Sequence, residues 1–198
     1  MSMDMRGYME LENDAERVKV RRSARKVYAL NKNKYLLDPE FEKLIYLLKS
    51  HLDDDHRNCT LLLLALFTGA RATELLRLHK SDINEYDSSV FIHGIKGSND
   101  REIPLHDWLF RAVVKEKTMQ KSELLFPISY NRLRQIWQIY RPVEKKFHSL
   151  RHTFAIRLYK KTKDLRLLQV ALGHRNIANT MVYADYVYSQ QELRRLIL

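Results

Sequence analysis

The stretch FHSLRHTFAIRLYKK, residues 147–161, decides the local fold and the chemistry that the chain can offer. The pattern predicts a helix over residues 148–162. His148 and Arg151 lie three positions apart, so both side chains leave one face of this helix and can reach the same target. Arg151 presents a planar fork of donors that suits a phosphate, and His148 can donate a hydrogen bond or exchange a proton.

The charge around this helix favours an anionic target. Residues 141–166 contain nine Lys or Arg against Glu144 and Asp164. A His and an Arg at this spacing are nevertheless common, and a solvated surface is the competing interpretation. The His148–Arg151 pair therefore indicates a functional site only together with the motifs around it.

Further motifs flank the helix. Downstream stands Leu-Gly-His at residues 172–174, and nine positions after this histidine comes Tyr183. Upstream, residues 68–76 read TGARATELL, which places an arginine and a glutamate near a helix start. Between them, the turn-rich residues 94–100 present Lys96.

The hydropathy pattern predicts an α+β fold that is mostly α, with a small antiparallel β-sheet. Asp38 is predicted to cap a helix that has Pro39 at its first position. Strands are predicted at residues 90–93 and 101–105. Further helices are predicted over residues 57–67, 72–78, 107–118, 130–140, 148–162, 164–172 and 189–197.

The ordered motifs resemble those of the tyrosine recombinases, the phage integrase family. They are Arg-x-x-Glu-Leu, a hairpin lysine, His-x-x-Arg, Leu-Gly-His and a tyrosine nine residues later, and the resemblance covers residues 35–198. It implies that Tyr183 attacks a DNA phosphate and that Glu74 orients the surrounding groups. The residues implied to surround the phosphate are Arg71, Lys96, His148, Arg151 and His174.

This resemblance implies site-specific integration, excision or inversion of DNA through a 3′-phosphotyrosine intermediate. Two guanidiniums can stabilise the charge on the attacked phosphate, and the phosphotyrosine linkage conserves the bond energy, so no metal, ATP or other cofactor is expected. The phenol must lose its proton, for which His148 is the candidate. Lys96 resembles the general acid that protonates the departing 5′ hydroxyl.

Each of these residues also has an ordinary structural interpretation. Lys96 has a rival cation in Arg101 on the same turn. Gly173 and His174 could simply end a helix, because glycine favours the left-handed conformation there. Tyr183 competes with three other tyrosines, but only Tyr183 has the family spacing from His174; the three are Tyr159, Tyr186 and Tyr188.

Two other patterns favour a structural interpretation. His148 and His152 lie four apart, as in zinc-binding helices, but the usual glutamate and a third ligand are missing, so no metal site is expected. Residues 130–140 could form a DNA-recognition helix, yet the spacing of Leu133, Ile136 and Trp137 is more typical of a core face.

The composition agrees with double-stranded DNA as partner. Lys and Arg number 35 against 24 Asp and Glu, a formal charge of +11, although a basic surface can also serve solubility. The only cysteine, Cys59, excludes disulfide frameworks. Because no apolar run reaches the roughly 18 residues of a membrane span, we expect a cytoplasmic, nucleoid-associated protein with no membrane partner.

Residues 1–34 are predicted to be a basic arm, because residues 17–34 hold eight Lys or Arg and no acidic residue. The arm is either a DNA-contacting tail or a solvated linker. Residues 35–198 are predicted to be the catalytic domain, and the N-terminal core-binding domain usual in the family is expected to be absent. The candidate DNA-contacting cations are Arg17, Lys19, Arg21, Arg22, Arg25, Lys26, Lys145 and Lys146.

The end of the chain predicts a short helix, because residues 189–192 form a capping-box pattern before four apolar residues. The resemblance implies that this helix docks on a neighbouring protomer, with packing on its own domain as the alternative. A homo-oligomer on DNA, a tetramer, is therefore expected. An accessory recombinase or a DNA-bending protein is a further expected partner.

Two other functions compete with recombination. A type IB topoisomerase would use the same chemistry without pairing two sites. A non-catalytic DNA-binding or partner-recruiting module would keep the fold alone. The presence of every catalytic residue type argues against this last interpretation.

Overall fold

A computed structural model describes residues 30–95, 97–187, 194 and 197–198. Within these residues, the elements confirm a mostly helical fold with one small antiparallel sheet. They are α1 (Asp38–Ser50), α2 (His56–Thr68), α3 (Ala72–Leu75), β1 (Ile83–Asn84), β2 (Ser89–Ile92), β3 (Arg101–Pro104), α4 (Asp107–Met119), α5 (Tyr130–Tyr140), α6 (Ser149–Thr162), α7 (Leu165–Leu172) and α8 (Ala178–Val187).

Helix α2 is the centre of the core. Residues 61–65 are wholly buried, and the helix packs against α1, α4 and α6. A helix that is apolar on all sides is stable only when it is surrounded by other elements. Burial of each leucine in this run stabilises the fold by roughly 2 kcal/mol.

The sheet has one strand more than the sequence predicted. Its order is β1-β2-β3, all antiparallel, with Ile83 opposite Val90 and Ile92 opposite Arg101. Strand β1 has two residues, which is too short for an alternating pattern to be recognised. The β2–β3 hairpin matches the prediction and brings Ser98 and Asn99 to the turn after α7.

Two predicted helix boundaries are wrong. Helix α1 is capped at Leu37 and not at Asp38, because Glu40 Oε2 accepts the Leu37 N–H at 2.8 Å while Asp38 pairs with Arg157. Helix α3 ends at Leu75 instead of continuing to residue 78. The chain turns there because Leu78 enters the core and its carbonyl accepts the Leu125 N–H at 2.8 Å.

Helix α5 contributes a core face, as predicted from its spacing. Leu133, Ile136 and Trp137 are buried, and the Trp137 indole donates a 2.7 Å hydrogen bond to the Lys145 carbonyl. The opposite face of the helix is exposed, including Arg134 and Gln138.

The segment before α1 belongs to the packed structure. Leu30 and Tyr35 are buried in a second apolar cluster with residues of α6, α7 and α8, and the Leu36 N–H donates to Thr153 Oγ1 at 2.8 Å. The arm cations between residues 17 and 26 lie outside the described residues, as does most of the predicted terminal helix. No helix in the described part of the chain is long and apolar enough to cross a membrane.

Candidate active site

Arg151 is the buried centre of the site, with only 2% of its surface exposed. Its Nη1 donates to the Gly69 carbonyl at 2.6 Å and its Nη2 to the Leu172 carbonyl at 2.8 Å. These carbonyls lie at the C-terminal ends of α2 and α7, where the helix dipole favours a cation. Burial, Arg71 and Arg101 lower the Arg151 pKa to about 9, so the guanidinium stays charged at neutral pH.

Two glycines create the turns that make these contacts possible. Gly69 and Gly173 end α2 and α7 with φ of 62° and 65°, a left-handed conformation that suits glycine. A Cβ at Gly173 would lie 2.6 Å from the Asn99 carbonyl oxygen. Gly173 therefore does end a helix, and the same turn directs His174 toward Arg151.

Glu74 joins Arg71 to the hairpin. Its Oε1 accepts from Arg71 Nη1 at 2.9 Å, and its Oε2 accepts from Arg101 Nη2 at 2.7 Å. Arg71 Nη1 also donates to Ser98 Oγ at 2.6 Å. Although burial of Glu74 opposes ionisation, the hydrogen bond and charge of Arg101, the backbone N–H of Arg71 and the charge of Arg151 outweigh it and lower the carboxyl pKa to about 2.

The tip of the hairpin docks against the turn after α7. The Asn99 N–H donates to the Gly173 carbonyl at 2.9 Å, and Ser98 pairs with His174 in an isolated antiparallel bridge. Lys96 lies outside the described residues, although its neighbours on this tip reach the site. Arg101 is 5% exposed and bound to Glu74, so this rival cation is not on an open turn.

His174 is held in one tautomer. Its Nε2 lies 3.0 Å from Arg151 Nη2, and its Nδ1 lies 2.9 Å from Thr180 Oγ1. Because a guanidinium only donates, Nε2 must accept and Nδ1 must carry the hydrogen. Burial and the nearby Arg151 and Arg71 lower the His174 pKa to about 4, which agrees with a neutral ring at pH 7.

Tyr183 lies in α8, with 3% of its surface exposed. Its phenol oxygen is 2.9 Å from Nδ1 of His152. His148 packs edge-on against the His152 ring with centroids 4.7 Å apart, one helical turn earlier. The imidazole beside the phenol is therefore that of His152, and not that of His148 as the sequence suggested, because α8 approaches the second turn of α6.

Both histidines on this face of α6 are surrounded by cations. Partial burial, Arg151 and Arg71 lower the pKa of His148. Burial, His148, Arg151 and Lys34 lower the pKa of His152 to about 3. At neutral pH the two rings are therefore uncharged and able to accept hydrogen bonds.

The other tyrosines occupy different positions. Tyr159 is buried in the same apolar cluster as Tyr183. The side chains of Tyr186 and Tyr188 lie outside the described residues. Tyr183 has both the family spacing from His174 and a hydrogen bond to His152 of α6.

A sequence profile of the phage integrase family matches residues 34–190. The chain belongs to the phage integrase family. Its relatives there include the tyrosine recombinase XerA of Thermococcus kodakarensis, 28% identical over 94% of this chain and 70% of the relative. Tyrosine recombinase XerD of Staphylococcus epidermidis is 30% identical over 76% of this chain and 58% of the relative. The chain thus spans 58% to 70% of the length of these two relatives.

Solved structures of the phage integrase family have the same fold. A XerA recombinase superposes with a TM-score of 0.64 at 25% identity, covering 86% of this chain and 65% of that one. The catalytic domain of bacteriophage HP1 integrase superposes with a TM-score of 0.59 at 24% identity, covering 82% of this chain and 93% of that domain. The second likeness supports the fold alone.

In this member of the phage integrase family, a cleft of about 610 Å³ opens beside His148. Four cations line it: Arg134, Arg141, Lys145 and Lys146. Lys146 is exposed, whereas the Lys145 side chain is 9% exposed and pairs with Glu40 and the Tyr35 carbonyl. The charge of Lys145 is therefore paired with the Glu40 carboxylate of the same domain.

Proposed function

We propose that this chain is a site-specific DNA recombinase in which Tyr183 is the nucleophile. The observation that carries the proposal is that the Tyr183 phenol oxygen lies 2.9 Å from Nδ1 of His152, the residue that directly follows Arg151 on α6. His174 Nε2 lies 3.0 Å from Arg151 Nη2, and Arg71 Nη1 is held by Glu74 Oε1 and Ser98 Oγ on the hairpin side of the site. A nucleophile and a cationic phosphate pocket are thus combined in one protomer.

The proposed step is an in-line displacement at phosphorus. A bond forms between the Tyr183 oxygen and the phosphorus, and the bond from phosphorus to the 5′ oxygen breaks, leaving a 3′-phosphotyrosine. Arg71 and Arg151 stabilise the negative charge on the non-bridging oxygens. The phenol proton passes to a water molecule during attack, and Lys96 is proposed to supply a proton to the 5′ oxygen.

Double-stranded DNA is proposed to lie over the basic cleft beside His148. The exposed cations Arg134 and Lys146 can contact phosphates there, and release of counterions would supply much of the affinity. The relatives with named activities are tyrosine recombinases, which favours recombination over topoisomerase activity or a non-catalytic role.

Covalent trapping tests the proposal. A library of nicked duplexes of randomised sequence is incubated with the chain, and adducts that survive denaturation are recovered and sequenced. We expect an adduct that disappears in Tyr183→Phe and persists in Tyr159→Phe, the matched control from the same apolar cluster. An adduct that persists in Tyr183→Phe and vanishes in Tyr186→Phe would show that the nucleophile is Tyr186.

The selected sequence then tests recombination itself. Two copies on one supercoiled plasmid should give inverted or excised products. Relaxed plasmid without recombinants would identify a topoisomerase instead. No adduct with any sequence would support a non-catalytic DNA-binding module.

We further propose that four protomers act together on DNA in the nucleoid, because exchange of two duplexes requires four strand cleavages. An accessory recombinase or a DNA-bending protein is proposed as a further partner on the same DNA. Sedimentation of the chain with its selected site should show assemblies larger than one protomer per site. A single protomer on every site would exclude this arrangement.

A further inference from the structure

The pairing of Tyr183 with His152 has a geometry that fixes the phenol. The Tyr183 oxygen lies 2.9 Å from His152 Nδ1, and the two residues are 3% and 7% exposed. A hydroxyl and an imidazole nitrogen at this distance form a good hydrogen bond. Replacing His152 by an apolar residue would remove this hydrogen bond from the buried hydroxyl.

The charges around His152 determine whether its ring is protonated. His152 faces His148, Arg151 and Lys34, and with burial these lower its pKa to about 3. The ring is therefore neutral, and a neutral Nδ1 beside a hydroxyl can accept its proton in the hydrogen bond. In the tautomer that carries its hydrogen on Nε2, Tyr183 is the donor and His152 Nδ1 the acceptor.

Packing places the ring, and His152 places the oxygen. The Tyr183 ring lies in the cluster that includes Leu30, Ile156 and Leu172. Apolar contacts are non-directional, so they bury the ring without selecting where its hydroxyl points. The hydrogen bond to His152 on α6, the helix that also carries Arg151, determines where the hydroxyl points.

We propose that His152 is a positioning residue that accepts the Tyr183 hydrogen and holds the nucleophile beside Arg151 of the same protomer before DNA binds. The inference rests on the proposed role of Tyr183. His152 does not serve as the final proton acceptor. Burial and the cations around it lower the His152 pKa to about 3, so the ring does not keep a proton at neutral pH.

Three variants separate the acceptor from general packing. His152→Leu removes the acceptor, and His152→Asn keeps a polar atom near the Nδ1 position. His56→Leu is the matched control, because His56 is also 7% exposed and bonds to the Ala112 carbonyl elsewhere in the core. A general loosening of the fold would affect His56→Leu as well as His152→Leu.

The first measurement needs no DNA. Nitration of Tyr183 by tetranitromethane is followed by peptide mass spectrometry. We expect slow nitration in the unsubstituted chain, a rise of about tenfold in His152→Leu, and little change in His152→Asn or His56→Leu. Equal nitration of Tyr183 in the unsubstituted chain and His152→Leu would overturn the proposal, as would an equal rise in His152→Asn.

The second measurement is the rate of the covalent adduct with the selected nicked duplex. Misplacement of a nucleophile by about 1 Å can slow a reaction about a hundredfold, so His152→Leu should be slower by tenfold to a hundredfold at unchanged DNA affinity. His152→Asn should recover most of the rate. An undiminished rate in folded His152→Leu would overturn the positioning role. If the unsubstituted chain forms no adduct but the nitration pattern holds, the proposed function fails while the pairing stands.

Discussion

Arg101 Nη2 lies 2.7 Å from Glu74 Oε2 in a pair that is almost wholly removed from solvent. The side chains are 1% and 0% exposed, while the other oxygen of Glu74 holds the partly exposed Arg71. A buried carboxylate between two guanidiniums fixes the position of the outer one. Arg101 therefore acts on the site through Glu74, beneath the surface on which Arg71 is presented.

Glu74→Gln should be strongly destabilising. The amide keeps the shape but leaves the Arg101 guanidinium buried without a counterion, which typically costs about 3 kcal/mol or more. Urea unfolding at pH 7 measures the change. The control is Asp53→Asn, which breaks the exposed 3.6 Å pair with Lys115 and should change stability little. Equal losses in the two variants would contradict a structural role for the buried pair.

Stability should fall as the pH is lowered from 6.5 to 5. The His174 pKa is about 4 in the folded chain against 6.5 unfolded, so the unfolded state binds more protons in this interval. His174 alone should account for about 2 kcal/mol of the loss. Urea unfolding at both pH values should show that His174→Asn loses about 2 kcal/mol less unfolding free energy than the unsubstituted chain. Identical falls in both proteins would show that His174 is not held neutral.

Gly173→Ala should lower the free energy of unfolding more than Gly97→Ala does. Both glycines have positive φ, so each alanine is strained by about 1 kcal/mol, but only the Cβ at Gly173 meets a neighbour, the Asn99 carbonyl oxygen at 2.6 Å. At Gly97 nothing lies within 4 Å of the added Cβ. The difference between the unfolding free energies of the two variants measures the contact of the added Cβ with the Asn99 carbonyl oxygen. The rate of DNA adduct formation shows whether His174 has also been displaced. Equal losses of unfolding free energy in the two variants would show that the turn at Gly173 shifts to accommodate the Cβ without strain.

The two adjacent lysines should affect DNA binding differently. Lys146→Gln should lower the slope of log affinity against log salt by about one, because it removes one exposed phosphate-contacting cation. Lys145→Gln should leave that slope unchanged and lower stability, because Lys145 pairs with Glu40. Fluorescence anisotropy at several salt concentrations measures both slopes. A reduced slope in Lys145→Gln alone would reverse the assignment.

Local patterns were sufficient for much of the fold. Helical spacing placed α2, α4, α5, α6 and α7 to within a few residues, since each helix buries one face or all faces along its own sequence. Strand β1 and the end of α3 were missed or misplaced. Their limits depend on pairing with residues distant in the chain, such as Leu125 for Leu78.

The sequence by itself determined the family, the order of the motifs and the candidate residues, because residue types and spacing are properties of the chain. The tertiary structure decided which of these side chains meet. It brought His152 rather than His148 to Tyr183, buried Arg101 on Glu74 and paired Lys145 with Glu40. Residues 31 positions apart meet only when two helices pack at one angle and depth, and that packing is set by the whole core.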